Sequence, residues 1–405
     1  MARSVDDTPS ARTPIDVHAA RVLSMLDGLR ARTPVSLRLE EARGRVLTRD
    51  VISPVDLPPF RNSQMDGYAV RAIDVASAPV SLPVIGEVAA APGAPAALRP
   101  GTAIKVMTGA GLPEGADTVI PVEDTLTAGE HVWIARGRAA GEFVREAGSD
   151  LRSSDTVVPH GVVLAPRHLA ALAAAGITEV EVAARVRVAV LSTGSELVEP
   201  GAPLGPGQIF DSNGVAIAAA VRASGAEVVL EGRVRDDADE LEALFDAAIA
   251  RDAELILTSG GISMGDHEVV RELIGTGDGI VDVLAMQPGG PQALAHWDGV
   301  PVVCFPGNPV SSQLSFEIFV APLLRELAGQ PARVVERRIL DSAVRSIPGR
   351  RQFLRGRRTG RDGVTLVGGP GSHLVAALAA SDVLIVIPED VVELTAGDSL
   401  ETWEL

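Results

Sequence analysis

One cysteine, Cys304, stands in 405 residues, so no internal disulfide can form. It lies in Val302-Val303-Cys304-Phe305, an apolar run that reads as a buried strand rather than the setting of a nucleophile. Lysine is as scarce: Lys105 is the only one among 36 basic residues, which leaves almost no candidate for chemistry that needs a primary amine. Aromatic residues make up 3%, too few for a base-stacking platform. The acidic excess, a formal charge of -17, repels phosphate backbones at long range and argues against nucleic acid as the main partner. No apolar run reaches the ~18–20 residues of a membrane span. The first 14 residues are polar and lack the apolar centre of a signal peptide; the expectation is a frayed tail on a cytoplasmic protein.

What is present is enough apolar material, 46%, for several cores, and the length exceeds what one core supports. Residues 15–30 carry Val17, Ala20, Val22, Leu23 and Leu26 at helical spacing. A proline-rich stretch at 52–60 reads as an extended linker. Short β runs at 80–89, 102–107, 118–122 and 131–136 follow, separated by Gly and Pro, and 167–175 returns to helix. From residue 186 strands and helices alternate: strands at 186–191, 226–232, 253–258 and 301–305, helices from Asn213, Asp237, Asp266 and Pro309. Such alternation predicts βαβ crossovers and a parallel sheet. After Gly329 β runs resume to the end.

The predicted fold is therefore multidomain α/β. The runs themselves divide the chain into a β-rich stretch before the helix at 167–175, a parallel α/β domain from about residue 185 and a separate small β domain after Gly329.

Ligands of an open parallel sheet bind outside the carboxyl ends of its strands. Four loops of this sequence fall there: Ser192-Thr193-Gly194-Ser195-Glu196, Arg235-Asp236-Asp237, the stretch from Thr258 through Ser259-Gly260-Gly261-Ile262-Ser263 to Asp266, and Phe305-Pro306-Gly307-Asn308-Pro309-Val310-Ser311-Ser312. Glycines let backbone N–H groups approach phosphate oxygens, and a helix that follows at once adds partial positive charge. Ser263, Ser311 and Ser312 offer hydroxyls; Asn308 is placed to cap a helix that Pro309 begins. Glu196, Asp236, Asp237, Asp266 and Glu268 are hard oxygen donors suited to Mg²⁺ beside a phosphate. Singly, each loop has a plain explanation as a turn or a cap. Four on one edge point to an anionic, phosphate-bearing small molecule.

Two more segments are dense in unusual residues: Pro58-Pro59-Phe60-Arg61-Asn62-Ser63-Gln64-Met65-Asp66-Gly67-Tyr68-Ala69-Val70, and Met107-Thr108-Gly109-Ala110 leading to Pro113-Glu114-Gly115-Ala116-Asp117. With Gly148-x-Asp150, the four edge loops and Gly371-Ser372-His373, in this order, they resemble the molybdopterin molybdenumtransferases, the MoeA and gephyrin E-domain family. The likeness runs over nearly the whole chain and implies a domain plan: a mixed, discontinuous linker or dimerisation domain at 1–57 and 147–184, a β-rich inserted domain at 58–146, a central parallel α/β domain at 185–329 and a small β-barrel domain at 330–405.

That resemblance implies insertion of molybdate into adenylylated molybdopterin with release of AMP, Mg²⁺ dependence, and a homodimer whose cleft both subunits build. It also implies possible further partners among other proteins of molybdenum-cofactor biosynthesis. Residue by residue, it implies Asp66, Glu196, Asp236 and Asp237 as catalytic, and Glu196, Asp237, Asp266 and Glu268 at the metal. Substrate would be held by Thr108, Asp150, Thr193, Gly194, Ser259, Gly260, Gly261, Ser263, Pro306, Gly307, Asn308, Pro309, Ser311, Arg350 and Ser372.

Three departures stand out. Where many members carry Lys-Pro-Gly-Lys-Pro, this chain has Gln287-Pro288-Gly289-Gly290-Pro291; Glu268 stands where Asp is commoner, and Gln352 where an acid is frequent. Either Arg350 and backbone N–H groups stand in for the two missing cations, or the chain holds its oxyanion weakly. The rival readings are an adenylyltransferase-like nucleotide enzyme and a non-catalytic molybdopterin-binding scaffold.

Overall fold

The computed structural model describes residues 12–262, 270 and 279–405. Two compact units appear, one of residues 35–182 and one joining the N-terminal 34 residues to 183–405.

In the first unit, six short strands form one sheet in the order Thr118–Pro121, Gly67–Val70, Ala103–Val106, Val80–Val88, His131–Ile134, Thr125–Ala128. Its faces bury separate apolar clusters, one around Tyr68, Val70, Ile120 and Ile134, the other around Ala69, Ile104, Val106 and Val119. Alternation along each strand sends neighbours to opposite faces, which is why Tyr68 and Ala69 belong to different cores. Gly67 is required by packing, since a Cβ there would lie 2.2 Å from the Ile120 carbonyl oxygen. A third cluster gathers Leu47, Val158, Leu164, Leu172 and Val182 beneath the helix Pro166–Ala174, which opens on proline and stops before Gly176 at φ +77.

The second unit opens with α1 (Ile15–Met25), then β1 (Arg187–Thr193), α2 (Ser212–Ala223), β2 (Glu227–Val234), α3 (Ala238–Ile249) and β3 (Leu255–Ser259). It continues with β4 (Ile280–Val283), β5 (Pro291–Trp297), β6 (Val300–Phe305), α4 (Pro309–Phe319) and α5 (Ala321–Leu327). The sheet order is β2-β1-β3-β6-β5-β4. The first four strands are parallel; β5 runs antiparallel to its neighbours β6 and β4, so the sheet is mixed rather than purely parallel. The edge hairpin escapes a sequence reading because Gly289, Gly290 and Pro291 disguise the start of β5 as loop.

Both faces of β1, β3 and β6 are covered, which explains their apolar runs, while β2 at the sheet edge carries Glu227, Glu231 and Arg233. Val188, Val190, Leu255, Leu257, Val303 and Phe305 pack with α1, α2, α4 and α5, while Ala189, Leu191, Ile256, Val302 and Cys304 pack with α3. Burial in this strand pushes the Cys304 thiol up to about 12, so it stays protonated.

Sequence reasoning assigned residues 1–57 to the linker domain, but Ile15, Val22, Leu26 and Leu29 sit in the α/β core. Each such side chain contributes about 2 kcal/mol by burial, enough to decide which unit α1 joins. His18 on α1 is buried too; its Nδ1 lies 3.1 Å from Asp282 Oδ2 on β4, which also accepts from Arg21. Nor is the start of the chain frayed as far as Pro14: Thr13 bridges Leu284, its N–H bonding the Val283 carbonyl and its own carbonyl accepting from Ala285 N.

Within the same unit, β7 (Val335–Leu340), β8 (Arg351–Thr359), β9 (Gly363–Leu366), β10 (Val383–Ile387) and β11 (Ser399–Glu404) close a five-stranded barrel in the order β8-β9-β7-β11-β10, with β10 returning to β8. Met286–Gln287 runs parallel to the first residues of β8 and ties the barrel to the sheet domain.

Candidate functional site

The loops that follow β1, β2, β3 and β6 open into one cleft of about 720 Å³. Its wall includes Thr193, Gly194 and Glu196 after β1, Asp236 after β2, Gly260 and Gly261 after β3, and Pro306, Gly307, Asn308, Pro309 and Ser311 after β6. Residues 287–291 and the barrel residues Ser372 and His373 complete it. A hollow of similar size, about 780 Å³, lies against α1, but its lining is mostly apolar and holds none of the glycine-rich strand ends.

Reciprocal hydrogen bonds fix the loops to one another. Ser195 N donates to Asp236 Oδ2 at 3.0 Å, and Asp236 N donates to Ser195 Oγ at 3.1 Å. Gly260 N donates to the Phe305 carbonyl at 3.0 Å, and Asn213 Nδ2 donates to the Gly307 carbonyl at 2.7 Å. Val310 N, in the first turn of α4, donates to the Ser372 carbonyl, which brings the barrel loop to the mouth of the cleft.

Two glycines are required by geometry. Gly260 has φ +95, and a Cβ on it would lie 2.4 Å from the Thr193 carbonyl oxygen. At Gly194 a Cβ would lie 2.7 Å from Glu196 Oε2, so the glycine lets that carboxylate fold back over the strand end.

Asp237 has a different surrounding from Asp236. Its side chain accepts from Glu240 N at 3.0 Å and caps α3, and it is not among the residues that line the cleft. Asn308, expected to cap α4 with its side chain, makes no such bond; Pro309 does take the first helical position, and Asn308 lines the cleft instead. Ser259 lies below the surface, where its hydroxyl donates to Ser192 Oγ and Ser192 Oγ to Asp211 Oδ1. Arg350 is half-buried and donates to Gln287 Oε1 at 3.4 Å. Ser263, Asp266 and Glu268 lie outside the described residues.

In the other unit, Asp66 and Thr108 meet across two loops. Asp66 Oδ1 accepts from Thr108 N at 2.7 Å and from Thr108 Oγ1 at 2.8 Å. These two donors, with the charge of Lys105 beyond them, hold the Asp66 carboxyl below its usual range, so it is ionised at neutral pH. Asp66, Thr108 and Asp150 are all exposed.

Three functional-looking residues escape the sequence reading. Asp211 and Asn213, at the start of α2, line the cleft although both are buried. The string Asp211-Ser212-Asn213-Gly214 before a helix was a usable signal, since Asp211 accepts from Gly214 N as a cap. The third is Arg355 on β8, 1% exposed, whose Nη2 donates to the Gly369 carbonyl. Its Nε and Nη1 are buried without a hydrogen-bond partner, and burial lowers its pKa. It anchors the loop that ends at Ser372. The signal was an arginine inside an otherwise apolar strand.

A crevice at the carboxyl edge of an α/β sheet, with backbone amides, hydroxyls and three carboxylates on its wall, is the setting in which α/β proteins handle a phosphorylated small molecule. Comparison with known proteins narrows this. Residues 13–176 match the MoeA N-terminal region (domain I and II), 189–326 a probable molybdopterin binding domain, and 337–405 the MoeA C-terminal region (domain IV). A molybdopterin molybdenumtransferase 2 of Mycobacterium tuberculosis is 43% identical over 391 residues, covering 93% of this chain and 96% of that protein. The molybdopterin molybdenumtransferase of Haemophilus influenzae is 34% identical over 373 residues, covering 90% and 92%. The crystal structure of a molybdopterin biosynthesis MoeA protein from Pyrococcus horikoshii superposes with a TM-score of 0.81 at 33% identity, covering 97% of this chain and 99% of that one. The chain belongs to the MoeA family of molybdopterin molybdenumtransferases, transferases of molybdenum cofactor biosynthesis.

Proposed function

We propose that the cleft binds adenylylated molybdopterin and molybdate, inserts the metal at the dithiolene and releases AMP, with Mg²⁺ required. The observation that carries this reading is the convergence of four strand ends and a barrel loop on one cleft. The volume, about 720 Å³, suits a nucleotide-sized ligand.

Release of AMP breaks a phosphoanhydride bond, a reaction governed by positioning and by stabilisation of charge on the phosphoryl oxygens. The amides of Gly261, Gly307 and Ser311, which among the described residues no backbone carbonyl takes up, can meet those oxygens. Thr193, Ser311 and Ser372 add hydroxyls, and Asn308 an amide.

The carboxylates that would hold Mg²⁺ are Glu196 and Asp236, both on the cleft wall. Among the described residues no three His, Cys, Asp or Glu side chains gather as a cage. Two carboxylates still fit, because Mg²⁺ is commonly held by one or two carboxylates together with substrate phosphates. When bound, the ion neutralises phosphate charge; Asp236 is kept in place for it by Ser195. Asp237, Asp266 and Glu268 remain candidates for the same ion.

The active form is a cytoplasmic homodimer, in which the Asp66, Thr108 and Asp150 surface of one copy completes the cleft of another. Asp66 supports this reading: it is an exposed, ionised carboxylate held ready by Thr108, and it is not among the residues of the nearby hollow around Phe60 and Leu112. Among the described residues no helix is long and apolar enough to cross a membrane.

The test is incubation of the purified protein with adenylylated molybdopterin and Mg²⁺, with and without molybdate. Molybdate-dependent appearance of AMP and active cofactor is the expected result. Adenylylation of free molybdopterin from ATP would instead make the chain an adenylyltransferase, and binding without AMP would make it a scaffold.

A further inference from the structure

Edge strand β4 inverts the usual pattern of a half-buried strand. Ile280 and Val281 are 44% and 37% exposed, while its one charged residue, Asp282, is turned inward. Among the described residues, every donor to that carboxylate comes from the N-terminal segment. Oδ1 accepts from Thr13 Oγ1 at 2.9 Å; Oδ2 accepts from His18 Nδ1 at 3.1 Å and from Arg21 Nη1 at 2.6 Å. Burial pushes the Asp282 carboxyl up, but the bonds from His18, Thr13 and Arg21 outweigh it and hold the group below its usual range. Burial pushes His18 down and outweighs the bond and the charge of Asp282, so the ring is neutral at neutral pH. Its Nδ1–H faces the carboxylate. Nε2 is buried with no partner among the described residues, and the ring meets Phe319 edge-on at 4.9 Å.

A buried ionic hub is a poor source of stability, since apolar side chains of similar size do as well or better in such a place. What it supplies here is register. Shortly after the hub, Leu284 N donates to the Gly290 carbonyl at 2.6 Å and closes the loop whose residues 287–290 line the cleft. On the open side of the same stem, Thr13 N donates to the Val283 carbonyl at 3.0 Å and Ala285 N donates to the Thr13 carbonyl at 2.8 Å. The stem of the cleft loop is thus braced by the N-terminal segment. The position of that segment along β4 is set by the side chains that converge on Asp282, and a slip of one residue would break all of these bonds at once.

We propose that Asp282 is a positioning residue for the cleft: with Thr13, His18 and Arg21 it fixes the register of the N-terminal segment on the loop stem, and so holds the 287–291 wall in the place where it meets the ligand. It touches no substrate and acts through the backbone of 283–285. The inference rests on the cleft's reading as the substrate site, but the order of the loop is measurable without turnover. Protonation of His18 loosens the hub, because it adds a buried charge and an N–H at Nε2 with no acceptor. The charged groups acting on His18 are Asp282 on β4 and Arg21 on its own helix, and α4 presents the uncharged Phe319. The contribution of His18 is complete above the ordinary histidine value and is lost as pH falls through the lowered one.

The experiment is amide hydrogen exchange on the full chain, comparing Leu284, Gln287, Gly289 and Gly290 with the core amides of β1 and β3, alongside KM and kcat for AMP release. Asp282→Asn should speed exchange in the loop about tenfold and leave β1 and β3 unchanged. It should raise KM about tenfold and leave kcat within about twofold, since the wall is displaced and the reacting groups are not. The double variant His18→Leu with Asp282→Leu separates register from stability: its unfolding midpoint should hold while the loop still loosens. In the wild type, loop exchange corrected for its intrinsic rate should rise as pH falls below the ordinary histidine value; His18→Asn, which keeps a neutral donor, should abolish that rise. Should Asp282→Asn not fold, Thr13→Val removes one bond, keeps the ion pair and reads the same loop. Unchanged loop exchange in these variants, or acceleration that spreads equally through β1 and β3, overturns the proposal. A loop that loosens as expected in a protein that releases no AMP leaves the hub standing and removes the transferase reading.

Discussion

The crevice at the sheet edge and the Asp66–Thr108 turn solve the same electrostatic problem in opposite ways. In the crevice, Asp236 is locked to Ser195 by two hydrogen bonds, Gly260 is locked to Phe305, and buried Asp211 is bonded to Ser192 and Gly214. Every loop has a neighbour that fixes it, and the wall can present amides to an anion with little rearrangement. Asp66 has one partner residue, lies in solvent, and stays ionised through two donors from Thr108. The crevice is a finished surface that needs a ligand; the turn is an aimed charge that needs a surface. The proposed site, assembled from both kinds of part, places its binding energy in one and a single reactive group in the other.

Four substitutions break or sharpen that contrast. The largest effect is expected from Asp66→Ala, which should reduce molybdate-stimulated AMP release by at least about 100-fold. Because the side chain is exposed and, among the described residues, hydrogen-bonds Thr108 alone, thermal unfolding should not change. A matching loss of stability would mean that the turn is structural. Gly260→Ala should do the reverse of this separation. A Cβ 2.4 Å from the Thr193 carbonyl, at φ +95, costs about 3 kcal/mol and should lower both the unfolding midpoint and turnover.

Arg355→Met sits between the two. Removing a buried guanidinium that leaves two nitrogens without partners should leave stability unchanged or slightly raised. Turnover should still fall, about tenfold, because the Gly369–Ser372 loop loses its anchor. The smallest effect is a shift in pH dependence. The Thr108 donors keep the Asp66 pKa low, so its charge is present above the ordinary carboxyl value and is lost only as pH falls through the lowered one. Thr108→Val removes one donor and should move the acid limb of the rate profile upward, toward the ordinary carboxyl range. An unmoved limb would assign it to another group.

The four strand-end loops were legible because each needs residue types that ordinary turns do not combine. Gly260 serves a positive φ and close backbone approach, Pro309 opens a helix, and the acids and hydroxyls have no apolar surface to cover. The parallel strands and the strand-rich nature of the C-terminal domain were legible from period and length, and the closure of that domain into a barrel only from the family resemblance. The edge hairpin β4–β5 was not, since an antiparallel edge leaves no separate mark in a run that begins at Gly289-Gly290-Pro291. The docking of α1 depends on which apolar face is vacant, a property of the α/β unit and not of the helix. Asp211, Asn213 and Arg355 carry local marks, a capping string and an arginine in an apolar strand, but their places around the cleft come from Ser192, Gly307 and Gly369, which adjacency in sequence does not give.

The central claim is that the finished crevice of one chain is completed by the aimed carboxylate of another. It is tested most directly by a heterodimer in which one tagged chain carries Asp66→Ala and the other Asp236→Ala, purified through both tags. Neither parent homodimer should release AMP, while the heterodimer, with one intact pairing of Asp66 and Asp236, should recover about half of wild-type turnover. A heterodimer as inactive as its parents would show that both residues act within one chain, or not together at all.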